Sequence, residues 1–226
     1  MLLLIFVLIS LWCIFCFLVH SEWVQNKLVM PMQFDAADPI FVAGSKTLVI
    51  YYRGNCESTT EFEQEIKEVS SSVSVAFSPV LETPEKTMSA ALAFYDKVVE
   101  NLSGFDVFLY GNSLGGHFAS YVASKRECKA LILETPLISV KECIENYLGR
   151  MSAFVPGTPA SGRMELAPLL ENIKCPVHVM GAVDDEVIPS MEPIKSLVET
   201  LTMVKCKHND TRTMPEWKPW VSEIIA

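Results

Sequence analysis

Residues 106–118 read Asp-Val-Phe-Leu-Tyr-Gly-Asn-Ser-Leu-Gly-Gly-His-Phe, an apolar run of strand character that meets Gly-Asn-Ser-Leu-Gly and continues with helical period. A strand that turns this sharply into a helix needs small residues on both sides of the turn, because the two elements approach closely there. The residue at its centre, Ser113, is expected in a strained conformation that lifts its hydroxyl above the end of the strand. Few folds carry such a turn.

The rest of the chain supplies a matching frame. Short apolar runs, most of them rich in β-branched or aromatic residues, occur at 47–52, 73–78, 106–111, 130–134, 177–181 and 202–206, and each is read as a buried strand. Helical period occupies 61–69, 84–101 and 114–125, and further helices are expected near 140–150, 190–200 and 215–225. Within 84–101, Met88, Leu92, Tyr95 and Val99 recur at three- and four-residue steps and give one apolar face, and Pro84 suits a first helical turn. Alternating strands and helices of this kind specify an α/β fold, a mostly parallel central sheet covered by helices on both faces. Such sheets place ligand sites at the carboxyl ends of their strands. Residues 136–174 lack a strand signal and contain Pro156, Gly157, Pro159 and Gly162, so they are expected to form a small cap over the site.

The first nineteen residues contain no charged side chain, a length suited to a spanning helix, which needs about 20 apolar residues. They lack the basic start of a cleaved leader, so residues 1–19 are expected to be a transmembrane signal anchor with the domain C-terminal to it, the alternative being a leader cleaved near Val19-His20-Ser21. Residues 20–46 then form a connector that includes one or two weak strands, and 47–226 one domain. The net charge of -9 and the lack of a Lys/Arg cluster argue against a nucleic-acid partner. Seven cysteines are odd in number and irregular in spacing, and Cys13-Ile-Phe-Cys16 sits inside the apolar run, where a redox or zinc role is not expected.

A serine hydroxyl is a weak nucleophile near neutral pH, so a nucleophile on this turn requires a base and a carboxylate later in the chain, in the order Ser, Asp, His. Two loops that follow predicted strands supply them. One carries Asp184 and Asp185, and the other carries His208. His20 borders the apolar segment, His117 follows the turn too closely to fold back on Ser113, and His178 lies within a strand. The tetrahedral intermediate of acyl transfer also needs two backbone donors, one of which is the N–H after the nucleophile, that of Leu114.

With these residues the chain resembles the α/β-hydrolase superfamily, in particular its small membrane-anchored serine hydrolases, which are similar to dienelactone hydrolases and acyl-thioesterases. The resemblance covers about residues 28–225. It implies that Asp185-Glu-Val-Ile-Pro189 carries the acid, with Asp184 in reserve, and that His208-Asn-Asp-Thr211 carries the base. Tyr52-Arg-Gly-Asn-Cys56 resembles the family's His-Gly-Asn-Ala-Gly segment, which implies that Asn55 or Cys56 gives the second oxyanion donor. Here the chain departs from the family, because Arg53 replaces the usual histidine and Glu57 stands where glycine is common. Arg53 is then an anion contact or, more simply, an exposed or structurally paired arginine.

The expected activity is hydrolysis of a carboxylic ester or thioester through an acyl-enzyme, without metal or organic cofactor. An anchor beside a bilayer points to an acyl lipid or a lipidated protein as substrate, with small esters and peptides left open. Two competing readings are acyl transfer to an alcohol on the same three residues and a catalytically silent fold used as a membrane scaffold.

Overall fold

Parallel pairing governs the sheet. The computed structural model describes residues 7, 9–14, 40–41, 44–55, 57–148 and 164–226. Its strands are β1 (Ile40–Phe41), β2 (Thr47–Tyr52), β3 (Ser74–Phe77), β4 (Asp106–Asn112), β5 (Ala130–Glu134), β6 (Val177–Ala182) and β7 (Thr200–Val204). They lie in the order β1-β3-β2-β4-β5-β6-β7. Only the edge pair β1 and β3 is antiparallel. The register sets Tyr52 opposite Gly111 and Asn112 opposite Glu134, so the central strands end level with one another at their carboxyl edge.

Each strand alternates its side chains between two cores, which is why the runs read as continuously apolar. On one face Leu48, Ile50, Leu109, Leu131 and Val179 pack with Phe94 and Val98 of α2 (Pro84–Asn101) and Phe118 and Val122 of α3 (Leu114–Ala123). On the other, Val49, Tyr51, Val75, Tyr110 and Ile132 pack with Phe62 and Ile66 of α1 (Thr59–Val69) and with Trp217 and Val221 of α6 (Trp217–Ile225). The entry to α2 is fixed by Thr83, whose side chain accepts from the Lys86 N–H, and by Pro84 in the first turn.

Between β5 and β6 the chain forms α4 (Val140–Leu148) and the short α5 (Ala167–Leu170). Ser139 pairs with Glu165 through a bridge and a 2.8 Å side-chain hydrogen bond, and the Leu166 N–H donates to the Ile138 carbonyl, so the insertion leaves and rejoins the domain at one point. The centre of the expected cap, 149–163, lies outside the described residues.

Two elements differ from expectation. The strand expected at 202–206 begins earlier, at Thr200, because Glu199 already donates to the Val177 carbonyl and the pairing with β6 starts there. That early start leaves only Glu192–Leu197 for the helix expected at 190–200, and with Pro193 in its first turn it winds as a 3-10 helix. Of the expected anchor, residues 7 and 9–14 are described and helical, and the remainder lies outside the described residues. Among the described residues no helix is long and apolar enough to cross a membrane.

His117 on α3 is 2% exposed and its Nδ1 has no hydrogen-bond partner among the described residues. Burial pushes its pKa from 6.5 down to about 4. The unfolded chain therefore takes up this proton near pH 6.5 and the folded chain only near pH 4. Stability from this group is complete above 6.5 and falls as the pH drops towards 4, by about 3 kcal/mol in all. Urea unfolding at pH 7 and pH 4.5 should show this loss in the wild type, and His117→Phe should flatten that part of the profile. A His117→Phe profile parallel to that of the wild type would rule out this origin.

Candidate active site

Ser113 stands between β4 and α3 with φ 49° and ψ −117°, a conformation that costs a residue with a side chain about 1–3 kcal/mol. Its surroundings hold it there. The Ser113 N–H donates to the Glu134 carbonyl at 2.9 Å, and the Ser113 carbonyl accepts from Gly116 and Leu137 at 3.0 and 2.9 Å. Close packing explains the small neighbours. A Cβ on Gly115 would run into the Tyr52 and Arg53 carbonyls, and one on Gly111 would lie 2.5 Å from the Gly116 Cα. The loop after β2 is thereby pressed against the first turn of α3. Leu114, as the first residue of that helix, has no intrahelical acceptor for its N–H.

His208 follows β7 and is 5% exposed. Its Nε2 lies 2.9 Å from the Ser113 Oγ, and its Nδ1 lies 2.8 and 3.0 Å from the two oxygens of Asp185. With Nδ1–H donating to the carboxylate, Nε2 is left as an acceptor for the serine hydroxyl. Asp185 is held in turn, since its Oδ1 accepts from the Val187 and Ile188 N–H groups at 2.8 Å each. The His208 N–H donates to Glu186 at 3.3 Å, which ties the base loop to the acid loop a second time. Asp184 is exposed and its N–H serves the Cys206 carbonyl, so the structure brings Asp185 and not Asp184 to the histidine.

Of the expected oxyanion donors, Leu114 is in place behind Ser113, Asn55 is exposed in the turn after β2, and Cys56 lies outside the described residues. Arg53 is 4% exposed and its Nη1 donates to the Glu57 carbonyl at 3.1 Å, which makes it a structural residue of its own loop. His178 is half-buried in β6, where it bonds Thr200 on β7 at 2.9 Å.

The sequence reading missed a buried ionic cluster beneath these loops. Arg212, four residues after His208, donates to Glu134 at 2.8 Å, Glu65 at 3.1 Å and the Tyr51 hydroxyl at 2.6 Å, and pairs with Glu57 at 2.6 Å. Its guanidinium also lies 5.0 Å from the Phe62 ring centre. Burial opposes its charge, but Glu134, Tyr51 and Glu57 outweigh burial and hold it protonated. Burial raises the Glu65 carboxyl, against the pull of Arg212. Glu134 also accepts from the Thr211 and Tyr110 hydroxyls, and Tyr110 accepts from Trp217 at 3.0 Å. Glu57 accepts from the Gly54 N–H at 2.7 Å and from Asn112 at 3.1 Å. One cation therefore ties the loop after β2, the end of β5 and the loop after β7. The available signals were a glutamate closing an otherwise apolar strand, Ala-Leu-Ile-Leu-Glu134, and the glutamate that replaces glycine at 57.

This strand order, with a strained serine between a parallel strand and a helix and a histidine and aspartate at later strand ends, is that of the α/β-hydrolase fold. Comparison with known proteins agrees. The chain belongs to the uncharacterised protein family UPF0227, which it matches over residues 58–213. It is 32% identical over 113 residues to the alpha/beta hydrolase domain-containing protein aho-3 of Caenorhabditis elegans, a match that covers 46% of this chain and 31% of that protein. The chain thus spans about a third of that relative's length. Among solved structures it resembles the Pyrococcus furiosus esterase Pf2001, with TM-score 0.63 and 16% identity over 90% of this chain and 95% of the other. It resembles MGS-MChE2, an alpha/beta hydrolase from a lagoon-sediment metagenome, with TM-score 0.61 and 20% identity over 84% and 96%. The Paleococcus ferrophilus monoacylglycerol lipase follows with TM-score 0.54 and 19% identity over 86% and 97%. At these identities the solved structures establish the fold.

Removing one partner of a buried ion cluster leaves the others uncompensated and costs about 3–5 kcal/mol. Arg212→Met should therefore lower Tm by about 10 °C at neutral pH. Glu65→Gln, at the more exposed rim of the cluster, should lower it by less than half as much. Calorimetry reads both, and an Arg212→Met protein that melts with the wild type would contradict the cluster's structural weight.

Proposed function

We propose that this protein is a serine hydrolase that cleaves a carboxylic ester or thioester through an acyl-enzyme. The observation that carries the reading is the unbroken line of hydrogen bonds from the Ser113 Oγ through both ring nitrogens of His208 to Asp185, at the carboxyl edge of the sheet.

In this mechanism the Ser113 Oγ bonds to the acyl carbon as its proton passes to His208 Nε2, and the carbonyl π electrons move onto oxygen. Asp185 keeps the ring in the required tautomer and stabilises the imidazolium, without taking the proton itself. The Leu114 N–H and a backbone N–H of Asn55 or Cys56 receive the oxyanion, each donor contributing about 2.7–4 kcal/mol to the barrier reduction. Collapse of the intermediate expels the alcohol or thiol, which leaves with the proton from His208. Water then repeats the two steps, with His208 again as base, to release the acid and restore Ser113.

The uncharged residues 1–19 support a single-pass membrane anchor, and that location favours acyl lipids or lipidated proteins as substrates. Membrane-extracted protein whose intact mass retains residues 1–19 is the expected result; loss of that segment would remove the argument for a membrane-borne substrate.

Wild-type protein should label with a fluorophosphonate probe at Ser113, and Ser113→Ala should not label while keeping the wild-type Tm. Asp185→Asn should lower turnover of a p-nitrophenyl ester by about 10³–10⁴, whereas Asp184→Asn should stay within about twofold. A folded wild type that never labels, or equal losses from the two aspartate changes, would falsify the assignment.

A further inference from the structure

The amino edge of the sheet, opposite the carboxyl-edge site, holds a second reactive arrangement. Cys128 lies just before β5 and Cys175 just before β6, and their sulfur atoms are 3.1 Å apart although the residues are 47 positions apart in sequence. Parallel pairing fixes this approach. Leu131 stands opposite Val177, and the Leu131 N–H donates to the Pro176 carbonyl at 3.0 Å, so neighbouring strands deliver the two side chains to one place. On the other side of Cys128, the Lys129 N–H donates to the Val107 carbonyl at 2.7 Å. Both cysteines are half-buried, packed against the core yet open to a small reagent.

We propose that Cys128 and Cys175 are a cross-linking site, which closes a disulfide between the amino ends of β5 and β6. The separation is about 1 Å longer than an S–S bond, a movement that side-chain torsions can supply with the backbone in register. Hydrogen bonding from Cys128 lowers the Cys175 thiol below its ordinary range, against the effect of burial, so Cys175 is the attacking group. Its thiolate displaces one thiolate from a small disulfide such as oxidised glutathione and becomes a mixed disulfide. Cys128 then loses its proton to solvent and attacks the Cys175 sulfur, which expels the second glutathione thiolate. Two protein thiols are oxidised and one glutathione disulfide is reduced. The bond lies at the edge away from Ser113 and serves to stabilise the domain, independently of the proposed hydrolysis.

The test uses the full chain, reduced and then equilibrated with oxidised glutathione, followed by alkylation, tryptic mapping and calorimetry. The expected product is a peptide joining residues 127–129 to 175–195, together with a rise in Tm of about 10 °C over the reduced protein. Cys128→Ser should stop at a glutathione adduct on Cys175, and neither it nor Cys175→Ser should gain stability on oxidation. In the reduced state both variants should melt within about 2 °C of the wild type. Full alkylation of both cysteines after oxidation, or pairing of Cys175 with a different thiol, would overturn the proposal. The map of the wild-type protein decides the matter even if a serine variant fails to fold.

Discussion

The buried guanidinium of Arg212 bears on three of the connections that present the site. Ser113, His208 and the turn after β2 sit on connections with little regular structure of their own, and Arg212 reaches all three through Glu134, its own loop and Glu57. Its charge in a dry setting is compensated by carboxylates from separate elements, with Tyr51 and Tyr110 satisfying the remaining lone pairs and protons. Such a cluster adds little net stability compared with an apolar core of the same volume, but it is intolerant of losing a member. Intolerance of that kind suits a site in which three loops must keep their relative positions within fractions of an ångström.

The same reasoning explains the glutamate at 57. A glycine there would remove the side chain that receives the Gly54 N–H, Asn112 and Arg212. Glu57 closes the loop on itself through the Gly54 N–H and couples it to Asn112 beside Ser113 and to Arg212 in the loop of His208. The arginine at 53, which replaces a histidine of the resembled pattern, is turned inward to the Glu57 carbonyl. Both residues that depart from the resembled pattern are thus engaged within the loop itself.

Much of the fold was legible because it rests on local pattern. Buried parallel strands must be apolar on both faces, so 47–52, 106–111 and 130–134 could be read directly. The strand-to-helix turn at Ser113 shows itself through its small residues. His208 and Asp185 were also accessible, since chain order and position after a strand restrict the choice to a few side chains. Arg212 was not accessible, because its partners at 57, 65 and 134 lie far away in sequence and an arginine in a polar loop reads as solvated. The start of β7 was missed for a related reason: Thr200 and Leu201 belong to a strand only through pairing with β6, and their own composition does not announce it.

The two edges of the sheet divide the labour of the domain. At the carboxyl edge, strain at Ser113 is maintained by hydrogen bonds from Gly116 and Leu137 and by the contact of Gly115 with β2, so the position of the serine depends on packing that cannot relax. The insertion between β5 and β6 departs from this edge, yet its ends are pinned to each other by Ser139 and Glu165. The frame that holds His208 and Asp185 is therefore built without the insertion. The amino edge carries no such geometry and can accept a covalent tie. The carboxyl edge therefore tolerates little local change, because Ser113 and the Arg212 cluster lie there together, whereas the amino edge is free of that strain.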